Sequence, residues 1–448
     1  MAILMCGIVG MFDLNGQCRA SHNVLLSMLN VLHHRGPDGM EIYTTNNLGM
    51  GFARLSIIDI KTGMQPLFNE DRTIVMVCNG EIFNYLDIKR QLKMRGHVFQ
   101  TKTDVEVLIH LYEDYGTEMF SHLNGQFAFA IYDQKKQMLL CARDHVGIAP
   151  FFYGCFDGLF VFGSEIKAIL QCKSYDREVD LIGMDQVLTL PGLVSPRTMF
   201  KNIHSLPGGH YLLIKFGQNG IKPREYWDIC YSSDNVMSSR EEECADELRQ
   251  LLIRSVSRRL KADVPVGFYL SGGLDSSAIA ALVHNLEPDI KWNSFSIYFE
   301  DNDISERLFQ HMMVEKIDSD HHERLLTVED ITDGLKDAVY YSECALKETY
   351  NTASMILSSM AHDAGIRVIL TGEGADELFG GYVGYKFDKM RESHRDTSIN
   401  KEEFKLRQRL WGDGDFVYEK DYIAYKKIKH TDPRTAAYCP VRREAESQ

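Results

Sequence analysis

The 448-residue chain contains no run of about 18 apolar residues, no CxxC pair, no block of basic side chains, no internal repeat and no low-complexity tract. Each absence excludes something. Without a long apolar run, a membrane-spanning helix is not expected. The apolar start MAILMCGIVGMF lacks the basic flank of a signal peptide, and Met5 is too large for the residue before a processed and lipidated Cys6. Ten cysteines, at Cys6, Cys18, Cys78, Cys141, Cys155, Cys172, Cys230, Cys244, Cys344 and Cys439, have no zinc-like spacing, so the expectation is reduced thiols in the cytoplasm. A formal net charge of −14 with no clustered lysine and arginine argues against nucleic acid as a partner. Local loops can still bind a small anion such as ATP.

What is present is ordinary for a globular chain: 44% hydrophobic and 25% charged residues. Its length exceeds one ordinary core and predicts two domains. From Cys6 to about Glu165 the segments CGIVGMFDL, MGFARLSIIDI, TIVMVCNGEI, QFAFAIYD, MLLCARD and LFVFGSE read as strands. Helices are expected over Tyr85 to Arg95 and Asp104 to Tyr115. Strand runs that are apolar almost throughout suit sheet facing sheet with helices outside. LPGGH at Leu206 to His210 and the polar stretch Tyr226 to Ser239 suggest a connector over residues 206–238, which sets domains at 6–205 and 239–448. Beyond it, Ala245, Leu248, Leu252 and Val256 mark an amphipathic helix. VGFYLSGGLDSSAIAALV, SFSIYF and RVILTG then alternate strand and helix as a parallel α/β sheet does, with ligands expected at the carboxyl ends of the strands.

In SGGLDSS the strand ends at Leu270, and Ser271, Gly272 and Gly273 turn the chain into a helix containing Asp275 and Ser276. Taken alone, such glycines are a tight strand-to-helix turn; with a helix N-terminus they also form a phosphate or pyrophosphate cradle. The GxxxxGK[ST] lysine of the common P-loop is missing. A second loop, TGEGADELFGGY from Thr371 to Tyr382, offers Glu373, Asp376 and Glu377. Mg²⁺ on phosphates takes one or two carboxylates, and Asp275 with Asp376 would suit it. His33 with His34, and His321 with His322, are adjacent pairs whose side chains diverge and read as structural.

SGGLDSS followed by TGEGADELFGGY resembles the synthetase domain of the asparagine synthetase family. CGIVG at Cys6, HHRGPDG at His33, RLSIID at Arg54, NGEIFNY at Asn79 and TDVEVL at Thr103 match, in order and spacing, the glutaminase half of the same family. The likeness runs from Cys6 to about Tyr382. It implies a four-layer αββα Ntn hydrolase domain followed by a parallel-sheet α/β ATP pyrophosphatase, with ammonia passing internally between them. In that scheme Cys6 is the nucleophile, and the Asn79 side chain and Gly80 amide receive the oxyanion. Arg54 grips the α-carboxylate of glutamine, and Glu81 with Asp104 take its ammonium. Ser271, Gly272, Gly273, Asp275 and Ser276 hold pyrophosphate, Leu270, Ile297, Thr371 and Gly372 line the nucleotide pocket, and Glu373 is the general base. The implied reactants are glutamine, ATP with Mg²⁺, and a carboxylate acceptor, aspartate by default; a homodimer is compatible with this scheme.

The sequence departs from the family pattern in three places. The nucleophile's α-amine serves as base in this family, and MAILM precedes Cys6; initiation at Met5 with its removal, or later trimming, would free the amine. From about Tyr385 to Gln448 the resemblance stops, and the family's lysine near the α-phosphate is replaced, if at all, by Lys386, Lys389 or a lysine of YKKIKH; a charged surface is the plainer reading of this stretch. ECALKETYNTAS, from Glu343 to Ser354, lacks the DEP-like wording at the acceptor position. Two rivals follow: the same architecture acting on another carboxylate, in surface-sugar or natural-product assembly, and a glutaminase whose synthetase activity is lost. A glutamine-fructose-phosphate aminotransferase shares the first half but has no place for SGGLDSS.

Overall fold

The computed structural model describes residues 5–17, 20–190, 192–218, 220–230, 240–301, 305–346, 348–382 and 385. Two compact units divide after Thr371: Met1–Thr371 and Gly372–Gln448.

Strand periodicity builds the first half of the larger unit. Its strands are β1 (Gly7–Asp13), β2 (Gly39–Thr44), β3 (Leu48–Arg54), β4 (Leu67–Phe68), β5 (Ile74–Ile82), β6 (Gly125–Asp133), β7 (Met138–Arg143), β8 (Phe152–Phe156), β9 (Leu159–Gly163), β10 (His204–Ser205), β11 (His210–Lys215) and β12 (Arg224–Glu225). Among the described residues they form two six-stranded antiparallel sheets, ordered β10-β8-β9-β1-β3-β2 and β12-β11-β7-β6-β5-β4. Successive side chains of a strand point to opposite faces, and β5 shows the consequence. Val75 and Val77 enter the core between the sheets with Ile8, Phe12 and Phe52, while Met76 and Cys78 enter the outer core with Leu108, Ile109 and Leu111. The long strands β1, β3, β5 and β6 are almost wholly buried, as their apolar sequences predict. Helices α1 (His22–Asn30), α2 (Tyr85–Met94) and α3 (Val107–Tyr115) cover the outside, α1 through Leu25, Met28 and Leu29 against Val9, Met11 and Val161. A 3-10 turn at Gly116–His122, α4 (Ile166–Ile169) and α5 (Leu181–Thr189) complete this αββα sandwich.

The expected connector over residues 206–238 is corrected in part. His210–Lys215 pairs with β7 from Tyr211↔Ala142 to Lys215↔Met138, and Arg224–Glu225 pairs with β11, so both belong to the second sheet. The alternation in HYLLIK buries Leu212 and Ile214 on the inner face and explains why this stretch is a strand rather than a linker. Residues 231–238 of that connector lie outside the described residues, as do Lys386, Lys389 and YKKIKH.

The rest of the larger unit alternates helix and strand: α6 (Glu241–Arg259), β13 (Val266–Tyr269), α7 (Leu274–Leu286), β14 (Asn293–Tyr298), α8 (Arg307–Ile317), β15 (Asp320–Leu325), α9 (Val328–Ser342), α10 (Tyr350–Asp363) and β16 (Val368–Leu370). The strands form a parallel sheet ordered β15-β14-β13-β16, with Phe268, Ala280, Val283 and Ile317 in one core and Phe295, Ala361 and Ile366 in another. Strand β15, DHHERL, is not legible as a strand from its charges. The second unit contains α11 (Ala375–Phe379) among its described residues.

Candidate functional site

Cys6 lies immediately before β1, and its main-chain carbonyl accepts a 3.1 Å hydrogen bond from Arg35 Nε. Its Sγ accepts from the Leu55 backbone N–H at 3.3 Å and approaches the Leu55 carbonyl at 3.5 Å. Leu55 follows Arg54 at the end of β3, because the β1–β3 register sets Gly7 opposite Ala53. Burial pushes the thiol up to about 11, an effect only partly opposed by the Leu55 hydrogen bond and the charges of Arg35 and Arg54. At neutral pH the sulfur is protonated, and among the described residues its hydrogen bonds go to Leu55 alone. Nucleophilic chemistry here therefore needs a base supplied next to the sulfur.

Arg54 is 7% exposed. Its Nη1 donates to the Ile60 carbonyl at 3.2 Å and its Nη2 to the Asp59 carbonyl at 2.5 Å, so the RLSIID loop curls back to hold the guanidinium. On β5, both side-chain polar atoms of Asn79 are buried without a hydrogen-bond partner among the described residues. An orphaned buried amide costs about 1–3 kcal/mol and is tolerated where a ligand completes it. Gly80, next to it, has φ +151, and a Cβ there would meet the Gln126 carbonyl at 2.1 Å. Only glycine permits this close approach of β5 to β6.

Asp104 receives the Ile82 N–H at 2.7 Å, which places its carboxyl against the end of β5. Burial raises it to about 6, and burial with the nearby charge of Asp104 raises Glu81 to about 7. Asp104 also bears electrostatically on Cys6 and Cys78. The structure thus gathers Cys6, Arg54 and Asp104 at one end of the sandwich, with Asn79, Gly80 and Glu81 on β5 of the facing sheet. A thiol, an amide without a hydrogen-bond partner among the described residues, a fixed guanidinium and two neighbouring carboxyls can bind and cleave an amino acid side-chain amide.

Three residues that the sequence reading gave no role also shape this site. Arg35 fastens the Cys6 main chain and is paired through Nη1 with Glu165 at 3.0 Å. Asp38 accepts from the Ser56 N–H at 2.8 Å and forms a two-pronged pair with Arg367, at 2.5 and 3.2 Å. Glu343, the first residue of the stretch expected to bind the acceptor, instead accepts from the N–H groups of Ile166 and Lys167 at the start of α4. HHRGPDG contained the first two, but a motif does not say which of its members grip the main chain. His34 bonds Glu165 at 2.9 Å, His321 bonds Ser294 at 2.8 Å and His322 bonds Asn293 at 3.2 Å, so each has a structural partner.

In the parallel sheet, β13 is central and ends at Tyr269. Gly272 takes φ +89, and a Cβ there would meet the Glu306 carbonyl at 3.0 Å and Phe309 Cβ at 3.1 Å. The turn is pinned by Ser276, whose Oγ receives the Ser271 N–H at 3.2 Å and lies 2.9 Å from Ser271 Oγ. Gln310 Nε2 donates to the carbonyls of Ser271 and Ile297 at 3.2 and 3.1 Å, joining two strand ends. Leu270, Ile297 and Thr371 thus follow or close neighbouring parallel strands, and Asp275 lies in the first turn of α7. The Ser271 and Gly273 N–H groups are taken by the Ser276 and Ser271 hydroxyls, and the turn leads directly into the N-terminus of α7, the kind of helix start that receives a phosphate. In the second unit, Gly372 and Glu373 precede α11, and Asp376 and Glu377 sit on it. Tyr382 donates to Glu377 at 2.7 Å, and this bond, with the charges of Glu377, Asp376 and Glu373, pushes the phenol up to about 12.

Among the described residues no helix is long and apolar enough to cross a membrane. A glutamine amidotransferase domain model matches residues 5–227, and an asparagine synthase model matches residues 247–444. Asparagine synthetase [glutamine-hydrolyzing] 3 of Bacillus subtilis is 33% identical over 91% of this chain and 68% of its own length. Asparagine synthetase B [glutamine-hydrolyzing] of Escherichia coli is 32% identical over 88% of this chain and 68% of its own length. Amidase chyE of Penicillium rubens is 33% identical over 84% of this chain and 58% of its own length, so the chain spans between about three fifths and two thirds of these relatives. With both domain models matched in order and this identity along most of its length, the chain belongs to the family of glutamine-hydrolysing asparagine synthetases, which are carbon–nitrogen ligases.

Proposed function

We propose that the protein makes asparagine from aspartate, taking nitrogen from glutamine and energy from ATP. Cys6 Sγ attacks the γ-amide carbon of glutamine. Asn79 and the Gly80 N–H stabilise the oxyanion, and ammonia leaves as the thioester forms. Water then releases glutamate. Arg54 holds the substrate's α-carboxylate, and Glu81 with Asp104 hold its ammonium. In the second half the aspartate carboxylate attacks the α-phosphate of ATP, pyrophosphate leaves, and ammonia that has travelled internally displaces AMP. Ser271, Gly272, Gly273, Asp275 and Ser276 receive pyrophosphate, and Leu270, Ile297, Thr371 and Gly372 line the nucleotide pocket. Glu373 takes the proton of the ammonia adduct. Asp275 and Asp376 are the carboxylates that would hold Mg²⁺, which would supply charge neutralisation at the phosphates. Asp275, in the first turn of α7 directly after the glycine turn, fits this donor set.

The observation that carries the reading is the orphaned Asn79 amide on the strand beside a buried, protonated Cys6 thiol flanked by Arg54 and Asp104. The missing base is the α-amine of Cys6 itself once Met5 is removed, the role a liberated terminus plays in N-terminal nucleophile enzymes. The test is Cys6→Ser, assayed for pyrophosphate release with aspartate. Loss of the glutamine-supported rate with retention of the ammonia-supported rate is expected; unchanged glutamine hydrolysis by the variant would refute the proposal. A second reading, amidation of another carboxylate, is favoured by the amidase relatives and by the absence of DEP-like wording between Glu343 and Ser354. A panel of acceptor acids distinguishes the two by which acid raises pyrophosphate release.

A further inference from the structure

On the outer helical face of the first domain, four side chains from three separate segments converge. Glu70 follows β4, His97 follows α2, and His110 and Glu113 are three residues apart on one face of α3. One ligand atom from each lies within 4.8 Å of all the others. His110 Nδ1 is 3.1 Å from Glu113 Oε2 and 3.7 Å from Glu70 Oε2. His97 Nδ1 is 3.6 Å from Glu70 Oε1 and 3.7 Å from Glu113 Oε2. A tetrahedral ion with bonds of about 2.1 Å separates its ligands by about 3.4 Å, the middle of this range.

Charge and outer hydrogen bonds point the same way. Among the described residues, neither glutamate is within ion-pair distance of a lysine or arginine, and the cationic groups nearest the two carboxylates are the imidazoles. His97 Nε2 is 3.1 Å from Asp114 Oδ1, and Asp114 is itself held by Arg95 at 3.1 Å. The other ring nitrogen, Nδ1, faces both glutamates, so a cation lying between them would meet one imidazole nitrogen and two carboxylates. The glutamates are also fixed from outside, Glu113 Oε1 by Asn69 Nδ2 at 2.9 Å and Glu70 Oε1, the oxygen that faces His97, by the Val98 N–H at 2.9 Å. Outer partners thus orient three of the four side chains, with a carboxylate behind His97, as at metal sites, while His110 Nε2 is buried without a hydrogen-bond partner among the described residues.

We infer that Glu70, His97, His110 and Glu113 bind one divalent transition-metal ion, with Zn²⁺ the best match. Two imidazoles and two carboxylates suit zinc over magnesium, and four protein ligands leave no open position, so the site is structural. Its ion staples the loop after β4 and the loop after α2 to α3.

The experiment uses the untagged full-length chain, stripped with a chelator and desalted, then titrated with Zn²⁺ and separately with Co²⁺. One tightly held Zn²⁺ per chain is expected, with a rise in Tm and with the intense visible absorption of four-coordinate Co²⁺. His97→Gln and Glu70→Gln are each expected to weaken zinc binding at least about tenfold and to remove the Tm response. Two variants guard against one failing to fold. Failure of the parent chain to retain zinc would overturn the inference, as would equal zinc affinity in a folded variant; the latter result would mean that cysteines bind the ion.

Discussion

The carboxylate of Asp263, just before β13, accepts a 3.0 Å hydrogen bond from the backbone N–H of Asp59, while Asp263's own N–H donates to the Ile57 carbonyl at 3.0 Å. Asp59 in turn gives its carbonyl to Arg54 and its carboxylate to the Lys102 N–H at 2.9 Å. A residue at the threshold of the parallel sheet therefore supports the loop that aims the proposed glutamine-carboxylate ligand. Asp263→Ala removes one charge-assisted hydrogen bond at a partly buried place. A loss of about 1 kcal/mol is expected, read as a glutamine KM raised about fivefold with ammonia-supported turnover nearly unchanged. An unchanged KM would show that the loop holds Arg54 without help.

Arg54→Lys tests the ligand itself. Lysine cannot present two parallel donors to a carboxylate, nor reach the Asp59 and Ile60 carbonyls as the guanidinium does. The expected loss is about 2 kcal/mol, or about 30-fold in kcat/KM for glutamine, most of it in KM. Steady-state kinetics with glutamine and with ammonia separate this from a folding defect.

Asn79→Ala should behave in the opposite way. The orphaned amide is assigned to the oxyanion, which exists only along the reaction path, so kcat should fall about 100-fold or more with little change in KM. A rise in KM at constant kcat would reassign Asn79 to ground-state binding.

The sequence was informative where chemistry is local and less so where it depends on distant segments. SGGLDSS announces its own geometry, because a strand, two glycines and a helix start can form few other shapes, and β13, the Gly272 turn and α7 follow it closely. The αββα order was legible from runs apolar on both faces. HYLLIK was taken as linker because LPGGH and SSDN punctuation surround it, although its own alternation buries Leu212 and Ile214. The contacts of Arg35 with the Cys6 carbonyl and of Glu343 with α4 span 29 and 177 residues, and no spacing rule reaches so far. Glu70, His97 and His110 are likewise invisible as a cluster until sheet and helices fold them together.

Gly272→Ala is expected to divide the two activities. At φ +89 a Cβ costs about 1–2 kcal/mol in backbone strain, and it would also crowd the Glu306 carbonyl at 3.0 Å. Acceptor-dependent pyrophosphate release should drop about tenfold or more, while glutamine hydrolysis stays within about twofold of the parent. An equal fall in both would place the turn in global stability rather than in phosphate binding.

The carboxyls of Glu81 and Asp104 make a pH prediction with a definite sign. Burial raises Glu81 from 4.5 to about 7 and Asp104 from 3.8 to about 6, so each loses its charge as pH falls through its own value, and well below both neither can hold an ammonium as an ion pair. Glutamine KM should therefore climb as pH falls from 8 through the two values, with kcat less affected. The same shifts act on stability in the reverse sense. A carboxyl whose folded pKa lies above its unfolded one favours the folded state at low pH, and that contribution is lost as pH rises from about 4.5 to about 7 for Glu81. Glu81→Gln should abolish the upper part of the KM profile and, in the absence of glutamine, raise Tm at pH 8 more than at pH 5. Initial-rate profiles and calorimetric melts across this range check both signs. A KM independent of pH would remove Glu81 and Asp104 from the ammonium site, whereas a flattened KM profile without the Tm gain would leave them there and refute only the burial penalty.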